Sequence, residues 1–323
     1  MLSSRSPRIV VIGGGTGTFT VLTGLKEYTN KLTAVVSMAD SGGSTGVLRD
    51  EFGVLPPGDV RRALLALSSQ EEQTTLRKLF DYRFMRGNGL SGHSFGNLFL
   101  TALSEITGSQ VKAIREAGRL LNISGKVLPV TTIDTHLVAR LEDGTLIRGE
   151  TNIDIRLVRP DLKILDVFLS PKASLYKPVA TEINKADLVV IGPGDLYTSV
   201  IPNLLVEGLS EALSKTSAKV VYVCNIMNKH GETDGFSASM FVGEINKYVG
   251  KNVLSAVIVN EGGFPKRLLK KYAKTEKAYP VRADLKNLGN QVQVISGDFT
   301  TGGTLLRHDP GKLAKAILRV LGN

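Results

Sequence analysis

Three side chains have the type and setting to do chemistry. Asp40 heads the run Asp40-Ser41-Gly42-Gly43-Ser44-Thr45-Gly46, Asp59 follows Pro56-Pro57-Gly58, and His93 lies in Gly92-His93-Ser94-Phe95-Gly96-Asn97. A carboxylate closing a second buried strand is where dinucleotide folds accept a ribose hydroxyl. The hydroxyl- and glycine-rich backbone beside it suits phosphate or sugar. An imidazole with a near-neutral pKa can donate to phosphate or act as a general acid. Each has a plainer use: Asp59 as the N-cap of a helix over 60–67 on which Arg61 and Arg62 are solvated, His93 as a turn residue bonding backbone.

These residues need a frame, and the frame starts at Ile9-Val10-Val11-Ile12 followed by Gly13-Gly14-Gly15-Thr16-Gly17-Thr18. An aliphatic run that short and continuous predicts a strand buried on both faces. The glycines let N–H groups turn towards an anion, and the helix that follows points its positive end there. Thr18 stands where a dinucleotide fingerprint has its third glycine. The pattern recurs: 32–40 ends in Asp40 itself, 186–191 at Gly192-Pro193-Gly194-Asp195-Leu196-Tyr197-Thr198-Ser199, 220–223 at Cys224-Asn225, and 253–259 at Asn260. If the strands are parallel, all these loops share one edge, where ligands bind. The predicted fold is α/β, a doubly wound, mostly parallel Rossmann-like sheet forming one domain over 1–323. Period-two runs around Asp143-Gly144 add a small antiparallel β extension at about 125–178, into which 126–130 and 153–158 are also read. In the polar loop 226–236, Glu232, Thr233 and Asp234 read as holders of a metal-bound phosphate or, for Thr233, as the cap of a helix starting near Phe236.

Composition narrows the class. A net charge of +10 favours anionic partners. The densest basic stretch, Lys266 to Lys274, has helical spacing and reads as a solvated face, and no aromatic–basic interleaving marks a nucleic-acid binder. One cysteine and four histidines give neither a disulfide framework nor a zinc site. No glycine loop carries a Walker lysine and no Ser-His-Asp grouping stands out, so any metal is expected to be oxygen-ligated, such as Mg²⁺. No apolar run is long enough to span a bilayer and residues 1–8 lack a signal-peptide stretch, so a cytoplasmic protein is expected.

The motifs Gly13 to Gly17, Asp40 to Gly46, Pro56-Pro57-Gly58-Asp59-Val60-Arg61, Gly92 to Leu98, Gly192 to Ser199 and Gly231-Glu232-Thr233-Asp234-Gly235-Phe236 occur in an order that resembles the YvcK branch of the CofD-like family. The resemblance implies a gluconeogenesis factor: a cytoplasmic protein that binds a nucleotide sugar such as UDP-N-acetylglucosamine, regulates rather than catalyses, and maintains cell shape on gluconeogenic carbon sources. It also implies roles for Tyr272, stacking or hydrogen bonding to the nucleotide sugar, and Arg307, facing its diphosphate. The sister branch holds 2-phospho-L-lactate transferase, which has adjacent acids where this chain has Asp40-Ser41. The expected ligand site is therefore Gly13, Gly14, Gly15, Thr16, Gly17, Asp40, Ser41, Gly42, Gly43, Ser44, Asn97, Gly192, Pro193, Gly194, Tyr197, Ser199, Asn225, Tyr272 and Arg307. NAD or GDP are the alternative ligands, and a cell-wall synthesis or morphogenesis protein, or a second copy of the chain, is the expected partner.

Overall fold

Strand β1 (Ile9–Gly13) is buried along its whole length, as a strand flanked on both sides and covered on both faces must be. It pairs in parallel with β2 (Leu32–Val36) on one side and with Leu188–Ile191 on the other. The computed structural model, which describes residues 6–68, 75–289, 292–303 and 305–322, continues the sheet both ways. β3 (Lys126–Pro129) lies outside β2. β7 (Leu188–Ile191), β8 (Lys219–Val223), β9 (Ala256–Asn260) and β10 (Gln293–Gly297) follow in order beyond β1. The seven-stranded order β10-β9-β8-β7-β1-β2-β3 therefore reverses direction between β1 and β7. That is a topological switch point, where the connections diverge and leave a crevice at the carboxyl ends of the strands.

A second sheet of three antiparallel strands has the order β5-β4-β6, made from β4 (His136–Leu141), β5 (Leu146–Arg148) and β6 (Ile164–Ser170). The hairpin turns at Asp143-Gly144, where the Asp143 carboxylate accepts from Thr145 N at 2.9 Å. This extension is smaller than the sequence suggests. Residues 126–129 belong to the parallel sheet as β3, because they register with Thr33 to Val36. The run 153–158 forms no strand: its first two residues end a short helix, Glu150–Asp154, and the rest is irregular.

α1 (Gly15–Leu25) follows β1, and α2 (Gly43–Phe52) and α3 (Pro57–Leu67) follow β2. The helix Lys266–Thr275 buries none of its residues, as its basic composition implies.

The place of Thr18 in the first turn is explained by its neighbour. Gly17, one residue earlier, makes the close approach: a Cβ there would lie 2.6 Å from the Pro193 carbonyl carbon and nearer still to its oxygen. Thr18 is buried and its hydroxyl donates to the Gly14 carbonyl at 3.1 Å. The glycine that permits tight packing has moved by one position, and the helix packs on the β7 loop rather than on its own strand. Gly17→Ala should overpack this junction and cost about 1–3 kcal/mol, read as a lowered midpoint in chemical denaturation. An unchanged midpoint would mean that the contact is slack.

Candidate functional site

A cleft of about 570 Å³ opens at the switch point. Its walls come from the α1 turn (Gly14 to Gly17), the β7 loop (Gly194, Asp195, Thr198, Ser199), the β2 loop with the start of α2 (Asp40, Gly42 to Thr45), and the first turn of α3 (Gly58, Asp59, Arg61, Arg62). Asn97, at the start of the helix Phe95–Thr107, completes the α2 side. The short helix Glu150–Asp154 of the extension brings Glu150, Thr151 and Asp154 into the same cleft. The sequence assigns the extension no chemistry beyond a cleft wall; that wall is supplied by a short helix which the period-two pattern does not mark.

Asp59 is not an N-cap. The helix begins earlier, at Pro57, with Pro at its first position, and this puts Asp59 inside the first turn with its carboxylate turned towards α1. There it accepts from Gly15 N at 2.8 Å, and a Cβ on Gly14 would be 3.2 Å from its carboxyl carbon. The carboxylate thus occupies the first donor of the α1 N-terminus, a position the glycine turn seemed to reserve for a ligand's phosphate. Thr16 and Gly17 also line the cleft, and their N–H groups have no carbonyl inside the helix to accept them.

Burial and the neighbouring Asp40 carboxylate push Asp59 up to about 6, against the pull of Arg62 and the Gly15 N–H. Asp40 is likewise raised, chiefly by burial, although Gly42 N donates to it at 2.9 Å. Glu150 is raised further, to about 8, by burial and then by Asp40 and Asp154. Two acids facing each other in a dry site cannot both ionise cheaply.

The remaining expected residues divide into those that line the cleft and those that shape it. Gly42, Gly43 and Ser44 are the N-terminal end of α2 rather than a free loop. The Ser41 hydroxyl accepts from Thr151 N at 3.1 Å, tying the extension to the β2 loop. His93 is buried behind the wall, its Nδ1 3.0 Å from the Ser44 hydroxyl, and does not reach the cleft. Asn97 donates to the Ser44 and Thr45 hydroxyls at 3.2 and 3.4 Å. Tyr197 lies in the core, with only its backbone N–H directed at Glu232. Arg61, read as solvated, is 6% exposed and pairs with Asp81 at 2.9 Å.

Two recesses adjoin the cleft through Thr16. One, of about 510 Å³, is ringed by Arg61, Arg62, Arg77, Lys78 and Arg307 with the single acid Asp81. The other, of about 170 Å³, is lined by Thr16, Gly17, Thr20, Pro193, Asn225, Ile226, Met227 and Leu306 to His308. Arg307 borders both. Tyr272 borders neither, but its hydroxyl accepts from Leu306 N at 3.3 Å and so braces the strand of chain that carries Arg307.

The loop 226–236 supplies a feature that sequence reasoning missed. Lys229 pairs with Asp154, with Asp195 at 2.8 Å and with Glu232 at 3.4 Å. Its ammonium joins the extension, the β7 loop and the β8 loop at one point. Glu232 also accepts from Tyr197 N and the Thr198 hydroxyl, both at 3.1 Å. These three carboxylates could otherwise share a cation, but Lys229 already supplies one. Thr233 accepts from Lys229 N at 2.9 Å, and the next helix starts at Ala238 with Ser237 before it, so Thr233 caps the loop and not the helix.

The family model described as 2-phospho-L-lactate transferase CofD matches residues 9–300. The chain belongs to the CofD family. Relatives named gluconeogenesis factor match along nearly the whole chain. It is 44% identical over 321 residues to the gluconeogenesis factor of Halalkalibacterium halodurans, covering 97% of this chain and 96% of that one. It is 40% identical over 322 residues to the gluconeogenesis factor of Bacillus subtilis, covering 98% and 99%. A crystal structure of a UPF0052 family member from Bacillus halodurans superposes with a TM-score of 0.91 at 43% identity, covering 98% of this chain and all of that one. The α/β fold and the membership of the gluconeogenesis-factor branch of the CofD family are thereby settled. No described helix is long and apolar enough to cross a membrane.

Because Asp59 carries a raised pKa in the folded state, folding takes up a proton between pH 4 and 6, and stability falls as pH rises through that window. Asp59→Asn should flatten this slope and gain on the order of 3 kcal/mol relative to wild type at pH 7, measured by urea denaturation at several pH values. A parallel pair of curves would refute the assignment. Lys229→Met should cost about 2 kcal/mol or more, since it strands three carboxylates. The loss should shrink on acidification, because Glu232, already held up near 7 by burial, then takes a proton; a pH-independent loss would point to packing instead.

Proposed function

We propose that this member of the CofD family is a cytoplasmic regulatory factor that binds a nucleotide sugar, UDP-N-acetylglucosamine, and adjusts cell-wall precursor supply and cell shape during gluconeogenic growth, acting through a protein of cell-wall synthesis or morphogenesis. The observation that carries the reading is the division of charge around Thr16. Cations gather at Arg77, Lys78 and Arg307 on one side, acids and hydroxyls at Asp40, Asp59, Glu150, Thr151 and Ser199 on the other, and Arg61 and Arg62 border both. A diphosphate suits the first and a polyhydroxylated sugar the second, with the free N–H groups of Thr16 and Gly17 between them. The gluconeogenic setting is supported by the names of the relatives.

A second reading, a transferase that moves a phospho-organic acid from a nucleotide donor, draws on the Asp40–Asp59 pair. The mutual repulsion that raises Asp59 is what a hard, oxygen-ligated cation between the two would relieve. Mg²⁺ held there would polarise a phosphoryl oxygen.

Thermal-shift and calorimetric titration with UDP-N-acetylglucosamine, GDP and NAD separate the readings. A ligand at one hundred times its Kd should add about 2.7 kcal/mol of stability. UDP-N-acetylglucosamine should do so unchanged by incubation, and Arg307→Ala should weaken it about tenfold, the worth of one charge-assisted hydrogen bond. Consumption of a nucleotide-linked phospholactate would favour the transferase. Stabilisation by none of these ligands would sink both.

A further inference from the structure

One surface helix is built against its own electrostatics. The helix Lys266–Thr275 carries Lys266, Arg267, Lys270, Lys271 and Lys274 and no acid, so it holds half of the chain's net charge of +10. Two of these cations stand in its first turn, at the positive end of the helix, where neither an acid nor a capping side chain offsets them. Lys266 with Lys270, Arg267 with Lys271 and Lys270 with Lys274 are like charges four residues apart, and each pair opposes the helix. Exposed cations elsewhere find acids, as Lys126, Arg140 and Lys312 do. Among the described residues none of these five has an ion-pair partner. Local conflict of this kind collects where a partner outside the chain relieves it.

The geometry narrows that partner. At 3.6 residues per turn the five side chains fall within an arc of about 140° along about 15 Å of helix, and all five are exposed. The opposite arc, Leu268, Leu269, Tyr272 and Ala273, is half-buried, and the Tyr272 hydroxyl is held by Leu306 N. The outward arc is therefore cation alone. Four of the five are lysines, which are depleted from protein–protein interfaces, and the arc has no aromatic ring on which a nucleic-acid base could stack. A lattice of phosphate headgroups asks only for point charges, in any register. Leu305 and Tyr279, 42% and 54% exposed, adjoin the two residues bonded to Tyr272, Leu306 at its hydroxyl and Ala278 at its carbonyl. An exposed aliphatic side chain and an amphipathic ring near a cationic row suit a bilayer surface.

We infer that the cationic face of the helix Lys266–Thr275 docks this protein on an anionic phospholipid bilayer, as a peripheral contact with no spanning segment. None of the five cations lines the cleft or either recess beside Thr16, so the contact stands apart from the ligand site and from the reading of its ligand.

Co-sedimentation of the intact chain with vesicles of phosphatidylglycerol and phosphatidylcholine in equal parts, against phosphatidylcholine alone, tests the docking face. The mixed vesicles should carry the protein down and the neutral ones should not, and binding should weaken about tenfold or more as salt rises from about 0.05 M to about 0.5 M. Each cation at an anionic surface is worth about fivefold in partition, so changing all five to Gln, which keeps helix propensity, should abolish binding. A control in which the exposed Lys112, Lys185, Lys219, Lys251 and Lys315 are changed to Gln lowers the net charge equally and should bind as the wild type does. Equal loss in the two variants would reduce the effect to net charge and overturn the assignment to this face. Failure of the wild type to sediment with the mixed vesicles at low salt would overturn it too. Tighter association of the wild type with polyglutamate or duplex RNA than with the mixed vesicles would replace the bilayer by an acidic protein or a nucleic acid. Should the quintuple variant fail to fold, Lys270→Glu with Lys274→Glu decides in its place.

Discussion

The contact on which the site depends is backbone against backbone: the first turn of α1 resting on the Gly192–Gly194 loop, with no side chain between them at Gly17. A parallel sheet wound outward in both directions from β1 and β7 opens a crevice between those strands whatever the sequence. How wide the crevice is, and which N–H groups face it, is set by this junction. Because Gly17 lies against Pro193, the α1 terminus is held at the seam between the large cleft and the two recesses, and Thr16 becomes common to all three.

Around that seam the charges are arranged in opposition. Asp59 caps α1 from the neighbouring helix and, with Asp40 and Glu150, gives the cleft an acidic floor that carries protons at higher pH than free carboxylates do. Lys229 neutralises a separate acidic cluster and pins three chain segments that are far apart in sequence. The Ser41–Thr151 bond is a second pin between the extension and the main sheet. The extension is therefore a wall of the site, attached by polar bonds at its inner end and built from its own small sheet.

The parallel sheet was legible in the sequence because each strand is a short aliphatic run ending in glycine, aspartate or asparagine, a local pattern that needs no tertiary information. Asp40, Gly14 to Gly17, Gly194, Ser199 and Asn97 all line the cleft, since strand ends and helix starts share one edge of such a sheet. What could not be read was contact across long separations. Asp59 looks like a cap for its own helix, and only the approach of α1 shows that it caps another. Tyr197 looks like a loop hydroxyl until the turn that carries it folds inward. Lys229 is one basic residue among forty, distinguished solely by the three acids that converge on it. The strand at 126–129 was assigned to the hairpin because its texture is the same, and its pairing with β2 spans some ninety intervening residues.

The bare basic helix Lys266–Thr275 gains a meaning from Tyr272, whose hydroxyl fastens it to the segment bearing Arg307. Cations on the outside and acids within divide recognition into two stages with different solvent dependence. The rim, in water and subject to salt, governs how often an anion arrives. The floor, dry and sensitive to protons, governs how long it stays. Encounter and residence are thus adjustable by separate substitutions, and two proteins of this architecture could share one equilibrium affinity while responding to a changing ligand supply on quite different timescales.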